Sequence, residues 1–120
     1  MSKRVLIIDD NVQLLRMITK IFQVWGYSVL SAETGEEGLK LAQRKRPDLV
    51  ILDVGLPDMN GFKVCEILKT EKKTEGIKIL MLTGKTQIKD VEQGFQVSAD
   101  GYLLKPFNPE RMLEKVKQLI

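Results

Sequence analysis

The chain switches repeatedly between two hydrophobic periods, and that alternation restricts its fold more than any other feature. Arg4 to Ile8 is a short β-branched apolar run without polar alternation, the pattern of a strand covered on both faces. Leu14, Ile18, Ile21, Phe22 and Trp25 then recur at helical spacing, and Gly26 closes that helix. Tyr27 to Leu30 reads as a second strand. Thr34-Gly35-Glu36-Glu37 has the spacing of a capping box, opening a helix that carries Leu39 and Ala42 and stops before Pro47. Leu49 to Leu52 forms a third strand, Gly61 to about Lys69 a helix with Val64, Cys65 and Leu68 inward, and Ile77 to Leu82 a fourth strand. Ile88, Val91 and Phe95 mark a weaker helix and Tyr102 to Leu104 a short fifth strand. Asn108-Pro109 supplies an N-cap with proline at N1, and Met112, Leu113, Val116, Leu119 and Ile120 face the core.

Strands separated by helices run parallel, and a parallel sheet is buried on both faces beneath those helices. The expectation is one α/β domain over residues 1–120, a doubly wound five-stranded parallel sheet with five helices. Such a sheet binds ligands beyond the carboxyl ends of its strands, where the strand order reverses.

Composition removes most other chemistry. With no histidine and one cysteine, Cys65, there is no His-dependent triad, no His general base, no Cys/His zinc site and no internal disulfide. The longest apolar runs are four residues, against the roughly 20 of a membrane span. The Met1-Ser2-Lys3-Arg4 start is too short for a secretory signal, so a cytoplasmic location is expected. The net charge of +3 is mild, and the bases are scattered without interleaved aromatics. That reads as solvated helix faces, with no direct nucleic-acid contact.

The residues just after the core strands form an unusual set. Asp9 and Asp10 follow the first strand, Asp53 the third, Thr83 and Gly84 the fourth, and Lys105 and Pro106 the fifth. Each has an ordinary reading taken singly: turn aspartate, turn hydroxyl, surface lysine. If the first and third strands are neighbours, however, three carboxylates crowd one pocket. Compensation then requires a raised pKa, a cation or a lysine. Few, hard oxygen donors suit Mg2+ better than zinc or copper. Without histidine or a nucleophilic cysteine, the available nucleophile is a carboxylate. Its attack on a phosphoryl group needs screening of charge and donors for the equatorial oxygens. Asp53, Asp10, Thr83 and Lys105 would supply those parts, with Gly84 allowing close approach of a backbone N–H.

At this point the sequence resembles the receiver domain of two-component response regulators, over essentially its whole length. The resemblance rests on Asp9-Asp10 after an apolar strand, on Asp53-Val54-Gly55-Leu56-Pro57-Asp58-Met59-Asn60-Gly61 as D-x-x-L-P-x-x-x-G, on Thr83-Gly84, and on Tyr102-Leu103-Leu104-Lys105-Pro106-Phe107. It implies a flavodoxin-like strand order 2-1-3-4-5, with Asp53 accepting a phosphoryl group from a histidine kinase. Asp10, Asp53 and the Gly55 carbonyl would hold Mg2+, with Asp9 acting directly or through water. Lys105 would pair with the acceptor, Thr83 would move toward the phosphoryl group, and Tyr102 would rotate inward behind it. A cis Lys105–Pro106 peptide is a further implication.

The resemblance makes the chain a regulatory phosphoacceptor that catalyses its own phosphorylation and dephosphorylation. Its output would then be the face of strand four, strand five and the fifth helix, presented to a downstream protein or effector domain. The same region, from the fourth helix through strand five to the fifth helix, would support a homodimer. The chain ends with its fifth helix, so the effector domain is expected to lie outside it. The resemblance further implies that the positions of Gly55 and Lys85 influence access of the hydrolytic water; the small Gly55 is expected to leave a more open site, with Lys85 partly covering it. Two other chemistries fit less well. Aspartyl phosphatases resembling haloacid dehalogenases use D-x-D, and Gly55 stands where the second Asp belongs. A flavin or nucleotide module would carry glycines and hydroxyls where Asp9-Asp10-Asn11 is acidic.

Overall fold

The computed structural model describes residues 2–84 and 99–120. In chain order its elements are β1 (Arg4–Ile8), α1 (Val12–Val24), β2 (Ser28–Ala32), α2 (Gly35–Lys45), β3 (Leu49–Asp53), α3 (Gly61–Thr70), β4 (Lys78–Thr83), β5 (Gly101–Leu104) and α4 (Pro109–Leu119). The last is the helix counted as the fifth from sequence. The helix expected around Ile88, Val91 and Phe95 lies outside the described residues, as does Lys85.

All four strand pairings are parallel, and the order is β2-β1-β3-β4-β5. Alternate residues of each inner strand point to opposite layers. Val5 and Ile7, Leu49 and Ile51, and Leu80 and Leu82 meet Leu15, Ile18, Phe22, Met112 and Val116 of α1 and α4. Leu6 and Ile8, Val50 and Leu52, and Ile79 and Met81 meet Ala42, Val64, Cys65 and Leu68 of α2 and α3. Both strand faces are therefore apolar, which explains the missing polar alternation. The outer strand β2 is only half covered, and its serines Ser28 and Ser31 are exposed. It starts one residue later and ends two residues later than the periodicity suggests, because polar residues on an edge blur the pattern.

Helix ends follow local chemistry. The side chains of Asn11, Thr34, Asn60 and Asn108 cap α1, α2, α3 and α4 by accepting from the amides of Leu14, Glu37, Phe62 and Arg111. Gly26 takes φ +92 and ends α1, its N–H donating to Gln23 O while Tyr27 N–H donates to Phe22 O. Phe22 packs edge-on against Trp25 and Tyr27 at 5.3 and 5.5 Å, so these rings are helix packing. Cys65 is fully buried in the core, and burial pushes its thiol up to about 11. No helix of the described residues is long and apolar enough to cross a membrane.

Candidate functional site

The register of the two central strands brings the acids together. Ile7 lies opposite Ile51 and Ile8 opposite Leu52. One further step along both strands sets Asp9 beside Asp53, at the strand spacing of about 4.8 Å. Asp10 follows on the turn into α1. Carboxylate oxygens of Asp9, Asp10 and Asp53 all lie within 4.8 Å of one another. Asp9 is fully buried and Asp53 is 6% exposed, whereas Asp10 faces solvent. At an effective dielectric near 20, each pair at that separation repels by about 3.5 kcal/mol.

The protein offsets part of this. The amide of Asn11 donates to Asp9 Oδ1 at 2.9 Å. Lys105, beyond β5, places Nζ 3.0 Å from Asp53 Oδ1 and 3.5 Å from Asp9 Oδ2. Its position is fixed from behind, because its own N–H donates to Thr83 O at 2.7 Å. The Lys105–Pro106 peptide that follows is cis.

Among the described residues, one ammonium faces three carboxylates. Burial pushes the Asp9 carboxyl above the usual aspartate range; the Asn11 amide opposes this, the Asp53 charge adds to it, and Lys105 pulls it back. Asp9 Oδ2 is buried and has no hydrogen-bond partner among the described residues. An all-oxygen donor set with one orphaned buried oxygen and a deficit of positive charge fits a hard divalent ion such as Mg2+.

The remaining sequence candidates stand around this centre. Thr83 ends β4 and is 4% exposed, and its hydroxyl donates to the adjacent Gly84 carbonyl at 3.4 Å. No hydrogen bond joins it to Asp53 among the described residues. Tyr102 pairs in register with Met81, two residues before Thr83, so Tyr102 and Thr83 share a sheet face. The Tyr102 ring is half-buried against the α2–α3 core, and burial raises its phenol above the usual range, with Cys65 adding to the effect.

Gly55 is exposed and forms an antiparallel bridge with Asn60, closing the loop after β3. The loop returns so tightly that a Cβ on Gly61 would fall on the Asp53 carbonyl oxygen, which is why glycine ends the segment. Asp58, to which sequence reasoning gave no role, accepts from the amides of Gly35 and Glu36 at 2.8 and 3.0 Å. Those amides, Glu36 first, hold its carboxyl below the usual range. No local pattern signals this contact, because its two ends are 23 and 22 residues apart.

Residues 5–117 match the family described as the response regulator receiver domain. The chain is 43% identical over 117 residues to the DNA-binding dual master transcriptional regulator RpaA of Synechocystis, covering 98% of this chain and 48% of that protein. It is 38% identical over 120 residues to the alkaline phosphatase synthesis transcriptional regulatory protein PhoP of Bacillus subtilis, covering all of this chain and 49% of that one. It thus spans about half the length of these curated relatives. Among solved structures, the chemotaxis response regulator CheY4 of Vibrio cholerae superposes with a TM-score of 0.92 at 35% identity, with both chains covered completely. A CheY-like receiver domain protein of Methanospirillum hungatei gives 0.91 at 35% identity, over 98% of this chain and 93% of that one. On fold, strand order and sequence alike, the chain belongs to the receiver domain family of two-component response regulators.

Proposed function

We propose that Asp53 accepts a phosphoryl group from the phosphohistidine of a sensor histidine kinase. The supporting observation is the Lys105 ammonium, 3.0 Å from Asp53 Oδ1 in a pocket where three carboxylates converge within 4.8 Å. The kinase's N–P bond breaks, an Asp53 carboxylate oxygen forms the new P–O bond, and the imidazole leaves with the electron pair. Lys105 holds Oδ1 and so orients the nucleophile, then donates to a phosphoryl oxygen. Asp10, Asp53 and the Gly55 carbonyl would hold Mg2+, with Asp9 acting directly or through water. When bound, the ion screens the charge between carboxylate and phosphoryl group.

Switching follows from the added charge. A phosphoryl group on Asp53 brings new acceptor oxygens beside Lys105 and Thr83, and each charge-assisted hydrogen bond contributes about 1.5–3 kcal/mol. Thr83 gives up its long bond to Gly84 and turns to the phosphoryl group, and Tyr102 moves into the space behind it. The output surface is the β4–β5–α4 face, where Leu104 is 40% exposed on the edge strand. A downstream protein, an effector domain or a second copy would read that face. Gly55 leaves the acceptor open to hydrolytic water, so the phosphorylated state reverts by itself.

The test is phosphotransfer from a phosphorylated kinase to wild type and Asp53→Asn, with and without Mg2+. Transfer to wild type only, and only with Mg2+, is expected. Equal labelling of Asp53→Asn would overturn the assignment.

A further inference from the structure

Resting on that reading, we propose that Asp58 is a positioning residue for the cation site: by gripping the start of α2, it fixes the loop that carries the Gly55 carbonyl. The α2 N-terminus already has a cap from its own chain, Thr34 Oγ1 accepting from Glu37 N–H at 3.1 Å. Asp58 takes the two preceding amides, those of Gly35 and Glu36, and its negative charge suits the positive end of the helix. It therefore does more than finish a helix. It ties the loop after β3 to a different element.

The geometry turns that tie into a reference frame. At its base the loop is closed by Gly61 N–H donating to Val54 O at 2.8 Å and by the Gly55–Asn60 bridge. Its tip, Asp58 and Met59, rests on α2, where Gly35 lacks a side chain that would meet Met59. Helix α2 is in turn seated on β1, because Gly38 leaves just enough room for Ile8, the residue before Asp9. Asp9 and Gly55, contributed by separate stretches of chain, are thus both held relative to α2. Without Asp58, the loop stays closed on itself but loses its tie to α2, so it pivots as a unit about the end of β3 and the Gly55 carbonyl it carries loses its fixed distance from the aspartates.

Two variants separate this role from ordinary helix capping. Thr34→Ala and Asp58→Ala each remove a cap from the same helix end, but only Asp58→Ala releases the loop. Both should lower Tm by comparable amounts. In calorimetric titration with Mg2+ alone, Thr34→Ala should keep wild-type affinity, whereas Asp58→Ala should raise the Kd about tenfold, as loss of an outer-sphere support does. Wild-type affinity in Asp58→Ala, or equal weakening in Thr34→Ala, would overturn the proposal. If Asp58→Ala does not fold, Asp58→Asn carries the test. It keeps one acceptor oxygen, so a smaller rise in Kd than that of Asp58→Ala is expected, and wild-type affinity would again overturn the proposal. Failure of the wild type to bind Mg2+ would instead overturn the functional reading, and this proposal with it.

Discussion

Asp9 shows the conflict between stability and chemistry most clearly. Its carboxylate is fully buried beside Asp53, with one oxygen bonded to Asn11 and the other orphaned apart from Lys105 at 3.5 Å. Such an arrangement costs stability whenever no cation is present. Asp9→Asn keeps an acceptor for Asn11 and removes a charge. We predict that it raises Tm in metal-free buffer by about 4 °C, the shift that ~1 kcal/mol produces in a domain of this size, while weakening Mg2+ binding. A lower Tm in thermal melts would contradict the repulsion argument. At Asp58 the sign is reversed. Its folded pKa is depressed by the Glu36 and Gly35 amides. Its stabilisation is therefore complete above the unfolded value of about 3.9 and is lost as pH falls through the lower folded value. The Tm gap between wild type and Asp58→Asn should be widest near neutrality and close below about pH 4. A gap that persists unchanged to pH 2 would exclude the charge as its cause.

Among the elements, β5 is the most dependent on one anchor. It has four residues, begins at Gly101 and, among the described strands, pairs with β4 alone. Just before it, Asp100 Oδ2 accepts from Ile79 N–H at 2.8 Å and meets Lys69 Nζ at 2.7 Å, while Lys69 also donates to Ile77 O. The two side chains are 21% and 16% exposed. Asp100→Ala strips a partner from the Ile79 amide and from a half-buried ammonium. A loss of about 2 kcal/mol, or about 8 °C in Tm, is expected. A shift below about 2 °C would show that β5 is held elsewhere.

This anchor also marks what sequence could and could not reveal. The inner strands were legible because two-sided burial leaves runs such as Leu49–Leu52 wholly apolar. The caps at Thr34 and Asn108 were legible because their partners lie three residues away. Asp9, Asp10, Asp53, Thr83 and Lys105 could be placed together because strand ends of a parallel sheet share one rim. Asp58 and Asp100 were not legible, since each caps backbone groups more than 20 residues distant. The edge strand β2 was found but misjudged in extent, where Ser28 and Ser31 interrupt its pattern.

At the scale of the whole molecule, the order β2-β1-β3-β4-β5 explains where the chemistry sits. From β1 the chain winds outward to β2 and then back past β1 to β3, so the connecting helices leave on opposite faces and open a crevice at the β1/β3 carboxyl ends. That crevice receives Asp9 and Asp53, and β5, at the far edge, delivers Lys105 to it. The fold thus places Asp53, the Lys105 ammonium and an edge strand on one rim, so that under the proposed function modification of Asp53 would reach an outer surface. The most direct measurement is the site of modification after incubation with acetyl phosphate and Mg2+, trapped by borohydride reduction and mapped by mass spectrometry. The account predicts a single hydroxylamine-labile acyl phosphate on Asp53, read as homoserine at that position after reduction and absent when Mg2+ is chelated. Modification at Asp9 or Asp10 instead, or an equal yield without the metal, would contradict it.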